Sequence, residues 1–172
     1  MKTKNIVLAL FISFFVGNGY AQEKTKKQLK EEQKTEKQKQ IEALINSKEF
    51  VFVAKNTSPQ GYRTIDLTTN PNYMKFYPDL IKSEMPYFGK GYGGGAYGGD
   101  GGLNFEGKPE DYTIEKTNKL YRIKAVVKGE RDVYSLILSV YFGGSATLSV
   151  NSNYRSTISY NGEISKIEPE KK

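Results

Sequence analysis

The chain has 172 residues, 37% hydrophobic and 26% charged, with 17 Gly and 13 Tyr but no His, Cys or Trp. Without Cys there is no disulfide framework, no thiolate metal site and no cysteine nucleophile. Without His there is no imidazole ligand and no Ser-His-Asp triad, so a binding or structural role without a cofactor or metal is the expectation, and catalysis is not.

Met1 to Asn5 carries Lys2 and Lys4, and Ile6 to Val16 (IVLALFISFFV) is an apolar run of eleven residues. Gly19 and Ala21 then supply a small-x-small pair ahead of Gln22. A basic start, a short apolar centre and a small-residue site describe a signal peptide, residues 1–21, cleaved near Ala21/Gln22. Eleven apolar residues are too few for the roughly 20 that span a bilayer as a helix. A periplasmic or secreted location is therefore expected, with no transmembrane span in the mature chain. The missing Cys also excludes acylation as a lipoprotein.

The formal charge is +7, and its location matters more than its size. Two lysines lie in residues 1–21, and residues 22–48 hold eight Lys against five Glu. Residues 49–165 hold 13 basic and 12 acidic residues, a net of +1. Nucleic-acid binders concentrate Lys and Arg on the folded reading surface, so nucleic acid is not an expected partner. Residues 22–34 read as a charged spacer with one apolar residue, Leu29. Ile41, Leu44 and Ile45 form a short apolar stripe at helical spacing, which predicts a helix over about Thr35–Ser47 packed on the following domain.

From Glu49 the pattern is strand after strand. Phe50–Ala54 is β-branched and aromatic, Arg63–Thr68 alternates, and Met74 and Phe76 share a face before Pro78-Asp79 turns the chain into Leu80–Met85. After the middle of the chain, Tyr121, Ile123, Ala125 and Val127 alternate with polar residues. Tyr134, Leu136, Leu138, Val140 and Phe142 follow at the same period, then Ala146, Leu148 and Val150. Arg155–Tyr160, Asn161-Gly162 and Glu163–Ile167 read as a hairpin closed by a type I′ turn. Period-two alternation between turn dipeptides predicts an all-β domain: an antiparallel barrel or two-sheet sandwich of about ten strands, preceded by the helix and spanning residues 35–168. Residues 169–172 are left as a tail.

Gly89 to Gly102 (GKGYGGGAYGGDGG) holds nine glycines in fourteen residues, too few side chains for a buried strand. It contains G-x-G-x-x-G at Gly89, Gly91 and Gly94, but a dinucleotide site requires a helix next, and Leu103–Glu106 reads as a strand. Gly102–Lys108 spells G-x-x-x-x-G-K, with Pro109 where a magnesium-binding hydroxyl belongs. A single Asp100 cannot supply the six to eight oxygens usual for calcium. What the run does offer is flat amphipathic rings, so the candidate ligand-binding residues are Tyr87, Phe88, Tyr92, Tyr97 and Asp100. The carboxylates Glu106, Glu110 and Asp111 are the remaining catalytic option, as a carboxylate-dependent hydrolase.

Three ordered blocks, Met85–Tyr92 (MPYFGKGY), Gly101–Phe105 (GGLNF) and Val150–Gly162 (VNSNYRSTISYNG), resemble a family of secreted Bacteroidota proteins known as domain of unknown function 4251. Lys90 and Gly91 stand where that family usually carries Arg and Ala, and the glycine run is expanded. The resemblance implies an exported domain over about residues 35–168 and brings no chemistry with it. Two functional expectations follow: binding of a small amphipathic or lipid-like ligand through the Tyr/Gly loop, or contact with another protein of the cell envelope.

Overall fold

A computed structural model describes residues 25–59, 63–69, 72–92, 101–130 and 132–168. The leader assigned to residues 1–21 lies outside them. The chain divides into two units, Met1–Lys34 and Thr35–Lys172. Helix α1 (Lys26–Ser47) begins in the first. Thr25 and Gln28 cap it reciprocally: the Gln28 N–H donates to Thr25 Oγ1 at 3.4 Å and the Thr25 N–H donates to Gln28 Oε1 at 2.9 Å. This capping box, followed by Lys, Glu and Gln, starts the helix at Lys26 and not near Thr35, because propensity and a cap suffice where an apolar stripe is missing.

In the second unit α1 buries Ile41 and Ile45. Its end is marked by Lys48, whose left-handed φ of 57° closes the last turn through an N–H bond to the Ile45 carbonyl at 3.2 Å. Among the described residues ten strands follow: β1 (Phe50–Pro59), β2 (Ile65–Asp66), β3 (Tyr73–Phe76), β4 (Ile81–Met85), β5 (Leu103–Gly107), β6 (Pro109–Lys116), β7 (Leu120–Lys128), β8 (Val133–Tyr141), β9 (Ser145–Ser152) and β10 (Ile158–Ser165). All pairs are antiparallel, in the order β5-β4-β3-β1-β10-β9-β8-β7-β6, with β2 beside the far end of β1. The two outermost strands, β5 and β6, are consecutive in the chain and separated only by Lys108. One continuous stretch therefore serves both edges of the sheet, which curls into a nearly closed barrel and leaves little free edge. Where β5 ends, a Cβ on Gly107 would lie 2.7 Å from the Lys128 carbonyl of β7, so glycine permits that approach.

Alternation puts one face of each strand inside. Phe50 stacks on Phe76 with centroids 4.6 Å apart, and Phe105 on Tyr134 at 3.9 Å, the latter bringing edge strand β5 against β8 across the interior. Each fully buried Phe, Leu or Ile contributes roughly 1.5–3 kcal/mol by leaving water. Strand directions place the C-terminal end of α1 and the β3–β4, β6–β7 and β8–β9 turns at one end. There Ile41 reaches to 3.0 Å of the position a Cβ on Gly144 would take, and Lys116 Nζ meets Glu42 Oε1 at 2.7 Å. That hydrogen bond holds the Glu42 carboxyl below its ordinary range. The β4–β5, β7–β8 and β9–β10 connections gather at the other end.

Three local expectations change. Asn161-Gly162 is not a hairpin turn but the middle of β10, paired with β1 on one side and β9 on the other. Pro109–Lys116 is a strand, hidden from a period-two reading by a register shift between Glu110 and Thr113, where Asp111 takes a left-handed φ of 50°. Arg63–Thr68 pairs only at Ile65–Asp66. Among the described residues no helix is long and apolar enough to cross a membrane.

Candidate functional site

Two chain segments meet at the end of the barrel away from the β3–β4, β6–β7 and β8–β9 turns. One is Pro86–Tyr92, leaving β4; the other is Asn153–Thr157, joining β9 to β10. Gly91 and Arg155 form an isolated antiparallel bridge. It is flanked by bonds from the Tyr92 N–H to the Tyr154 carbonyl (2.7 Å) and from the Ser156 N–H to the Lys90 carbonyl (2.8 Å). Antiparallel pairing of this kind sets Tyr92 opposite Tyr154.

Beneath the bridge lies a polar knot. The Tyr87 hydroxyl is 2.9 Å from the Lys90 carbonyl, the Ser156 carbonyl and Ser156 Oγ, and Ser156 Oγ accepts the Lys90 N–H at 3.0 Å. Tyr87 folds back over Gly89 so closely that no Cβ would fit there. Arg155 lies 5.1 Å above the Tyr87 ring and donates through Nη1 to the Gly102 carbonyl at 2.6 Å. Deeper still, the Tyr160 hydroxyl donates to the Pro86 carbonyl at 2.7 Å, and burial pushes that phenol well above its ordinary pKa. The β7–β8 connection joins in through Asp132, which is buried; its Oδ1 accepts the N–H groups of Val133 (2.8 Å) and Asn153 (3.1 Å).

The knot consumes polar groups and leaves rings outside. Tyr92 is 61% exposed, and Phe88 and Tyr154 are 40% exposed each. Large exposed aromatics on a backbone this well fixed form a rigid amphipathic surface that loses little side-chain entropy on contact. Of the five candidate residues, Phe88 and Tyr92 stand on this rim, and Tyr87 lies half-buried below it with its hydroxyl engaged. Tyr97 and Asp100 lie outside the described residues. Sequence reasoning missed Tyr154, Arg155 and Ser156 because it assigned Arg155 onward to a strand. The run Asn151-Ser152-Asn153 ahead of them is turn composition and was the available signal.

The carboxylates sit elsewhere. Glu110 pairs with Lys128 at 3.2 Å, and Glu106 and Asp111 are exposed on β5 and at the β6 bulge. The Gly102–Lys108 spelling runs through strand β5 into β6, not into a helix, and the end of the Gly89–Gly94 spelling lies outside the described residues.

The sequence profile of the family described as a domain of unknown function (DUF4251) matches residues 32–164. The fold is similar to the crystal structure of a DUF4251 family protein from Bacteroides eggerthii. That likeness has a TM-score of 0.60 at 16% identity, over 76% of this chain and 87% of that one. No curated protein matches the chain.

Proposed function

The chain belongs to the family of domain of unknown function 4251, and from that premise we propose that it is an exported, non-catalytic β-barrel that binds a small amphipathic or lipid-like ligand on its aromatic rim. The observation that carries this reading is the exposure of Phe88, Tyr92 and Tyr154 on segments whose backbone and neighbouring polar groups are already bonded to each other. Aromatic rings in water are the surface a molecule of mixed polarity can cover at a gain. The inward positions of the barrel are taken by large buried side chains such as Phe50, Phe52, Phe105 and Tyr160, so the ligand is held at the rim and not enclosed. That same placement favours, as a second reading, a partner protein of the envelope resting on the rings.

Export rests on the leader read in residues 1–21, and it is tested by the mass of the protein recovered from periplasm or medium: the expected N-terminus is Gln22. Calorimetric titration with palmitate and with lysophosphatidylethanolamine tests the ligand. Saturable binding is expected, weakened about tenfold or more in a Phe88→Ala/Tyr92→Ala/Tyr154→Ala variant. No binding of either compound, or binding indifferent to the three substitutions, refutes the ligand reading.

A further inference from the structure

The outer surface of the barrel is chemically divided. On β6 and β7 it is ionic: Glu115 meets Lys124 at 3.1 Å and Arg122 at 4.0 Å, and Glu110 meets Lys128 at 3.2 Å. Across β8, β9, β10 and β1 it changes character. One cross-strand row runs Ser139, Thr147, Asn161, Asn56. The next runs Ile137, Ser149, Ser159, Ser58. Every outward position on β8 and β9 is uncharged, in a chain with 26% charged residues. The charges at the margin are already spent: Lys55 pairs with Glu163 at 2.7 Å, and Asp66 accepts the Thr68 N–H and hydroxyl at 2.8 and 2.6 Å.

The rows are also ordered. Thr147 Oγ1 bonds Asn161 Oδ1 at 3.0 Å, and Asn161 Nδ2 donates to Asn56 Oδ1 at 3.1 Å. Each amide is thereby oriented before any ligand arrives, with its remaining hydrogen-bonding capacity directed to solvent. Strand spacing sets neighbouring rows of donors and acceptors about 4.8 Å apart across the sheet and about 7 Å apart along it. Two large apolar groups rise from this grid on β8, Ile137 and Tyr141, 44% and 46% exposed.

We propose that this face binds a neutral polysaccharide, with the Ser/Thr/Asn rows bonding its hydroxyls and Tyr141 carrying the apolar face of a sugar ring. The cations bordering these rows, Lys55 on β1 and Arg122 and Lys124 on β7, already face Glu163 and Glu115, so the face is not built for nucleic acid or acidic glycan. A second copy of the sheet is a poor occupant as well, since face-to-face sheets bury apolar residues, and Ile137 and Tyr141 are the exposed large ones here, with Val51, Val53 and Val133 already half-buried. Solubility does not require the pattern, because the neighbouring strands meet it with charges. This face is separate from the aromatic rim, and the two readings stand or fall independently.

The test is electrophoresis of the mature chain in native gels cast with dextran, mannan, xylan or polygalacturonate. Retardation is expected with at least one neutral polymer and not with polygalacturonate. Tyr141→Ala should weaken it about fivefold, and Thr147→Lys, which places a solvated cation among the rows, should abolish it. Both variants are checked for an unchanged strand signal by circular dichroism. The Phe88→Ala/Tyr92→Ala/Tyr154→Ala variant should be retarded like the parent. Unaltered mobility in all three neutral gels overturns the proposal. So does preferential retardation by polygalacturonate, equal retardation of both face variants and the parent, or loss of retardation in the rim variant alone.

Discussion

Arg155 donates to the Gly102 carbonyl at 2.6 Å while its own backbone bridges Gly91, so one residue ties together both ends of the glycine-rich run. The rim aromatics owe their fixed placement to that tie and to the Tyr87–Ser156 knot beneath it. Arg155→Ala should cost about 1–2 kcal/mol, the worth of a charge-assisted hydrogen bond in a partly buried setting. The amides of Tyr92 and Ser156 should then exchange with solvent faster. Arg155→Lys should recover only part of the protection, because an ammonium lacks the planar fork that reaches a carbonyl while lying over a ring. Unchanged exchange at both amides would show that the tie is decorative.

A second close relationship lies in the sheet. The carbonyl oxygen of Val53 crowds the position a Cβ on Gly162 would take, next to the register shift that leaves Lys55 of β1 without a backbone partner opposite it on β10. Gly162→Ala must push two paired strands apart, and an expected loss of about 3 kcal/mol or more would be read from the midpoint of chemical denaturation. Gly143→Ala is the control, since nothing lies within 4 Å of its would-be Cβ; it should stay within about 0.5 kcal/mol of the parent.

Gly162 also marks where sequence reasoning reaches its limit. An Asn-Gly pair between alternating runs carries the same composition whether it supplies positive φ in a turn or simply lacks a Cβ opposite a bulge. Only the partner strand, which lies more than a hundred residues away, separates the two. The long strands β7, β8 and β9 were legible because burial on one face writes a clean period of two. Strand β6 was not, because the bulge at Asp111 and Tyr112 slips the pattern by one residue. The choice of barrel over sandwich was equally invisible, since it depends on β5 passing into β6 through Lys108 alone. At the rim, Phe88 and Tyr92 were legible as exposed rings in a glycine-rich segment, whereas Tyr154 needed the cross-chain bridge to bring it alongside.

Helix α1 offers a test of which part of it matters. Ile45 is fully buried and Leu29 is 45% exposed. Ile45→Ala should destabilise the protein by about 2–5 kcal/mol through lost burial and the void left behind, while Leu29→Ala should change the unfolding midpoint hardly at all. Equal effects would mean that the helix is not anchored through its second half.

The tyrosines fix how the protein responds to alkali. Burial pushes the Tyr112 phenol up to about 12, and burial likewise raises Tyr160 and Tyr134. A phenol in the unfolded chain ionises near 10. A folded-state pKa above that value means that the unfolded state sheds its proton first. The stability tied to Tyr112 is therefore complete below about pH 10 and drains away as the pH climbs through about 12, and that tied to Tyr134 and Tyr160 is likewise lost on the alkaline side. The phenolate absorbance of Tyr112, Tyr134 and Tyr160 should accordingly appear late in an alkaline titration, as the sheet opens. Two variants separate burial from bonding. Among the described residues the buried Tyr112 hydroxyl has no hydrogen-bond partner, so Tyr112→Phe removes an uncompensated polar group and should raise the alkaline midpoint, with a gain of about 1 kcal/mol. Tyr160→Phe takes the donor away from the Pro86 carbonyl and should cost about 1–2 kcal/mol, loosening the rim at Phe88 as it does so. If Tyr160→Phe leaves the midpoint unchanged or raises it, the hydroxyl of Tyr160 is not what holds Pro86, and the anchoring of the rim must be sought in the Arg155 tie alone.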